Sequence, residues 1–80
     1  MVNRCEWEKA ENFNSYSHYE RVLAFIRQQM ADGEVREVKV RRRYSGLETL
    51  DEHWFKCLAS KETWRIVAPD PPFKGVFEKV

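Results

Sequence analysis

Residues 17–44, SHYERVLAFIRQQMADGEVREVKVRRRY, carry the reading on which the fold turns, because the hydrophobic period changes inside them from that of a helix to that of a strand. Ser17 with Glu20 three residues on has the form of a capping box: a hydroxyl for one orphan backbone N–H and a carboxylate reaching back to another. Tyr19, Val22, Leu23, Ile26 and Met30 then line one helical face, while Glu20, Arg21, Arg27 and Gln28 point elsewhere and Phe25 lies off the stripe's centre. Gly33 supplies the stop, so a helix is predicted over about 17–32, packed by its stripe on a sheet. Past Gly33 the period is two. Val38 and Val40 face one way and Glu37, Lys39, Arg41 and Arg43 the other, which predicts an antiparallel strand over about 35–43 with one solvated side.

Working outward, Tyr44-Ser45-Gly46 ends that strand and Leu47 to Glu52 reads as a connecting loop. Extended, aromatic-rich runs at 53–59 and 62–68 flank a reversal at Ser60-Lys61, and Trp64, Ile66 and Ala68 share a face, so the two form a hairpin. Asp70-Pro71-Pro72 interrupts the ladder by removing two donors, and a strand over 74–79 returns at the sheet edge, with Phe73 and Phe77 on one side and Gly75 allowing a bulge. Upstream, Cys5 and Trp7 alternate with Glu6 and Glu8, as in a short strand or an extended arm lying on the core. The expectation is an α+β fold: one N-terminal amphipathic helix on a three- to four-stranded antiparallel β-meander, with Leu23, Ile26, Trp64, Ile66 and Phe77 in the core. No repeat or linker divides the chain, and residues 1–80 are read as a single domain.

Composition limits the function classes. The chain is 42% hydrophobic and 34% charged, which suits a globule with a charged skin, and its formal net charge of +1 supplies no overall field for nucleic acid. Positive charge nevertheless gathers in the second part: residues 1–34 hold four Lys/Arg and six Asp/Glu, residues 35–80 ten and seven. No apolar leader or membrane-length apolar stretch is present, so a cytoplasmic location is expected, with no membrane partner. Cys5 and Cys57 could pair if the fold brought them close, but two thiols in a reducing compartment are expected to be free and buried.

No constellation of residues predicts an enzyme, a metal or a cofactor. Two cysteines and two histidines lack paired ligand spacing, and the outline of a zinc knuckle at 54–60 has Ser60 where a second cysteine would stand. His53 and Cys57 would share a strand face about 13 Å apart, too far for a nucleophile and its base. Three scattered glycines make no phosphate loop.

Two surfaces remain as binding candidates. Lys39 to Tyr44 is a basic strand end with an aromatic beside it, in which Arg41, Arg43 and Tyr44 could meet phosphates and stack a base, as in a small RNA- or DNA-binding module. Helix followed by three strands is also the opening order of a double-stranded-RNA-binding domain, although the C-terminal basic helix of those domains is missing. The plainer reading pairs these arginines with Glu37, Glu48 or Asp51. The acidic segment Glu48, Asp51, Glu52 could instead clamp a basic partner.

The second half, with Trp54-Phe55, then Trp64-Arg65-Ile66-Val67-Ala68-Pro69-Asp70, then Pro72-Phe73 and Gly75, resembles the tail of small bacterial immunity proteins of polymorphic toxin and contact-dependent growth inhibition systems. The resemblance spans about residues 53–80, and the glycine-rich ending of some such families is reduced here to Gly75. It implies a cytoplasmic, non-catalytic inhibitor that binds and neutralises a cognate toxin domain, often a nuclease, as a monomer or weak homodimer. A phage-encoded inhibitor of a host defence complex would share these features.

Overall fold

The computed structural model describes residues 5, 7–10, 12–44 and 50–80. Among the described residues, one helix, α1 (Tyr16–Ala31), precedes four strands: β1 (Val35–Val38), β2 (Glu52–Cys57), β3 (Thr63–Val67) and β4 (Val76–Lys79). The strands form one antiparallel sheet in the order β1-β2-β3-β4, the meander read from the sequence.

The helix begins two residues earlier than the Ser17 capping box predicts. Ser15 is the cap, extended at φ −161° and ψ 169°, and its hydroxyl accepts the His18 backbone N–H at 3.2 Å. Phe13 sets this frame: its buried ring meets Tyr19 edge-on at 5.6 Å, which fixes where the chain turns into the helix. At the other end Gly33 does stop the helix, at φ +78°. Its N–H donates to the Met30 carbonyl and that of Glu34 to the Gln29 carbonyl, both at 3.0 Å, the two bonds of a Schellman motif.

Tyr19 and Ile26 of the predicted stripe are buried, and Val22, Leu23 and Met30 pack partly buried against the same core, which includes Val35, Phe55, Trp64, Ile66 and Phe77 of the sheet. Burial pushes the Tyr19 phenol up from 10.0 to about 12, with the Asp51 charge adding to the effect. The folded state therefore favours the protonated phenol. Its contribution to stability is whole below pH 10 and is lost as pH rises toward 12. Urea unfolding across that window should show a stability decline that is shallower in a Tyr19→Phe variant; equal slopes would remove Tyr19 from the core.

The arm before the helix lies across the sheet edge. Ala10 and Phe77 exchange backbone hydrogen bonds of 2.8 and 2.7 Å, covering part of the β4 edge, and Trp7 meets Trp64 and Phe77 edge-on at 5.9 and 5.8 Å. Gln29, a polar residue on the buried side of α1, holds this arm by accepting from the Trp7 indole at 2.8 Å and donating to the Cys5 carbonyl at 3.0 Å. Cys5 is thereby brought to the end of β2, where it is disulfide-bonded to Cys57 with Cα atoms 6.2 Å apart. The expectation of two free thiols is thus corrected. It rested on compartment alone, and a 52-residue separation hides the proximity that Trp7 and Gln29 create.

The first strand is shorter than the 35–43 read from the alternation. Pairing stops at Val38 opposite Trp54, and the backbone N–H of Tyr44 is drawn onto the Glu52 carboxylate at 2.7 Å, which leads the chain off β1. Gly75, at φ +86°, has the Phe13 ring 2.6 Å from where a Cβ would stand, so a side chain there would collide with the core. Among the described residues, no helix is long and apolar enough to cross a membrane.

Candidate binding face

Alternation along the strands and the registers between them sort the side chains onto two faces. Val35, Phe55, Cys57, Trp64, Ile66 and Phe77 turn toward α1 and the arm. Arg36, Val38, Trp54, Lys56, Thr63, Arg65 and Val67 turn the other way, where no helix among the described residues covers them. One end of this second face is closed by a small apolar cluster of Leu50, Val67 and Val76 with Tyr44 and Phe73. Beside it a hydrogen-bonded network takes over. Glu52, with its side chain fully buried, accepts the Tyr44 backbone N–H and the Trp54 indole, each at 2.7 Å. The Arg65 guanidinium lies 5.6 Å from both the Tyr44 and Trp54 ring centres, with its Nε 3.8 Å from carboxylate oxygens of Glu52 and Glu78. That Nε is buried without a hydrogen-bond partner, so this arginine is held by charge and stacking.

The other end is an open groove of about 640 Å³ lined by Val38, Trp54 and Val80 and by the cations Arg36, Lys39, Arg41, Lys56 and Lys61. A smaller hollow of about 440 Å³ adjoins it, sharing Arg41, Trp54 and Val80 and adding Arg42 and Arg65. Among the described residues, Glu62 is the acidic side chain lining the groove, and it is spoken for. It accepts the Trp64 indole N–H and faces the Lys79 ammonium, both at 3.2 Å, and these contacts hold its carboxyl below the ordinary range, the indole first. Among the described residues, none of Arg36, Lys39, Arg41, Lys56 and Lys61 is in an ion pair.

Two local choices here run against stability. Arg36 and Lys56 are direct cross-strand partners, and like charges directly opposite one another are destabilising. Lys61 holds a left-handed conformation, φ 63°, in the β2–β3 turn, a position easier for Gly or Asn and costing about 1–2 kcal/mol for other residues. Both place ammonium or guanidinium groups on the groove.

The residues nominated from sequence separate. Arg41 reaches the groove, whereas Arg43 is exposed outside both hollows. With pairing over at Val38 the alternation no longer governs, and Arg42 rather than Arg43 joins Arg41 at the adjoining hollow. Tyr44 packs on Phe73 at 5.6 Å and beneath Arg65, which leaves its ring half-buried. Glu48 lies outside the described residues. Asp51 contacts His53 Nε2 at 3.0 Å, and Glu37 contacts His53 Nδ1 at 2.9 Å, so the two acids that could have paired with the basic segment meet a histidine instead. Glu52 belongs to the buried network, so reversing its charge tests folding, not docking. Arg36, Lys56 and Lys61 were missed because only the strand register and the β2–β3 turn bring them to Lys39 and Arg41.

Among the described residues, no three His, Cys, Asp or Glu side chains converge as a metal site would require, and Cys57 is engaged with Cys5. What the fold and this face define is a small α+β protein with a sheet surface closed at one end by an apolar cluster and basic at the other. No protein-family model, no curated protein and no solved structure matches the chain.

Proposed function

We propose that this protein is a non-catalytic inhibitor that binds and neutralises a partner protein, in the manner implied by its resemblance to immunity proteins of toxin systems, and that it docks through the open face of its sheet. The observation that carries this reading is the groove: five cations, none in an ion pair among the described residues, gathered in an arrangement that costs stability unless something anionic joins it. The surface is large enough. A standard interface takes about 800 Å² from each partner, and the molecule's extents of 34 × 26 × 23 Å give it one broad face of that order. The disulfide and the Gln29 clamp favour a rigid frame, which lowers the ordering cost of association.

A nucleic-acid module would use the same cations, but it also wants exposed rings for bases to stack on. Trp54 is only 7% exposed and Tyr44 is packed between Phe73 and Arg65, which favours a protein partner.

The test is co-expression with the product of the adjacent gene, followed by nuclease treatment and affinity purification at moderate salt. A stoichiometric protein should be retained, and its toxicity should be relieved by the wild-type chain but not by a folded Arg36→Glu, Lys56→Glu variant. Material that co-purifies only when the nuclease step is omitted, with no protein retained after it, would overturn the reading in favour of nucleic acid.

A further inference from the structure

Resting on that reading, we infer that the groove receives a carboxylate-rich segment of the partner polypeptide in extended conformation. Arg36 and Lys56 stand opposite each other on neighbouring strands, where paired residues have Cα atoms about 4.5–5.5 Å apart, so one carboxylate set between them meets both and removes their mutual repulsion. Lys39, Arg41 and Lys61 elsewhere in the lining offer further cations to the same segment. An extended chain presents alternate side chains about 6.6–6.8 Å apart along one side, which allows successive acids to reach successive cations of the groove while the residues between them point away from it. The groove's own carboxylate, Glu62, already shows the pairing in miniature, bound to Lys79 at 3.2 Å.

Carboxylate suits the site better than phosphate. None of the described residues lining the groove belongs to a helix. The groove's ring, Trp54, is spanned by Arg65 and tied to Glu52, so a base gains no platform. Arg65, whose fork would match phosphate best, faces Glu52 and Glu78.

The experiment is an NMR titration of the isotope-labelled, disulfide-intact protein with a twelve-residue peptide of alternating Glu and Val, and separately with a twelve-nucleotide single strand. The peptide should shift the amides of Arg36, Lys39, Lys56 and Lys61, bind more tightly than the oligonucleotide, and lose about tenfold or more in affinity with Lys56→Glu, the equivalent of about 1.4 kcal/mol. A Lys74→Glu variant, reversed away from the groove, should bind as wild type and shows that added negative charge by itself is not the cause. Tighter binding of the oligonucleotide, or groove amides that stay unmoved by the peptide, overturns the inference. Because the titration uses no partner protein, failure here with the partner still retained in the co-expression experiment leaves the inhibitor reading standing. Loss of the partner itself would sink that reading instead.

Discussion

A Cys5→Ser, Cys57→Ser variant is expected to lose about 4 kcal/mol of stability, because opening a cross-link across 52 residues returns loop-closure entropy to the unfolded chain. For 80 residues the whole stability is on the order of 4–12 kcal/mol, so the variant stands near its folding limit. The cost is not chain entropy alone. Cys5 anchors the arm that carries Trp7 onto Trp64 and Phe77 and pairs Ala10 with the β4 edge, so a freed arm would uncover apolar surface and two backbone hydrogen bonds. Urea unfolding of the wild type with and without reductant, beside the double variant without it, measures this. The reduced wild type should unfold with the variant and well before the oxidised protein; identical curves with and without reductant would show that the two thiols are not bonded.

Trp64→Ala is expected to cost about 3–5 kcal/mol, the range for deleting a large buried aromatic. The residue is 8% exposed, and its ring lies 5.0 Å from that of Phe77 and 5.9 Å from that of Trp7, joining β3, β4 and the arm at one point. Truncation also removes the indole N–H from Glu62, which would then face Lys79 alone at the end of the groove. A Trp64→Phe variant keeps much of the packing and loses only that donor, so it should fall well short of the alanine cost. Calorimetric or urea unfolding of both variants gives the comparison. A stable Trp64→Ala protein would contradict the packing of the arm and sheet described above.

What could be read from sequence was what depends on near neighbours. The stripe from Tyr19 to Met30 and the glycine after it place α1 within a residue or two, and the alternations around Trp54 and Trp64 place the central hairpin, since each side chain's surroundings there follow from chain spacing. Features that need two distant segments were not legible. The Cys5–Cys57 bond follows from a glutamine on the helix holding the arm, and Gln29 looks like any polar residue of an amphipathic stripe. Glu52 reads as part of an acidic loop until its carboxylate is seen beneath Tyr44, Trp54 and Arg65. The groove is a matter of register: Arg36 and Lys56 lie on different strands, and only the pairing of β1 with β2 makes them neighbours of the basic segment that the sequence does display.

The open end of the sheet's second face is the proposed binding face. Amide shifts of the labelled protein should be mapped on adding the purified partner retained in the co-expression experiment. Changes are expected to concentrate at Arg36, Lys39, Arg41, Lys56 and Lys61, with the outer helix surface around Arg21 and Phe25 silent. Changes centred on Arg21 and Phe25, with the groove amides unmoved, would contradict that placement.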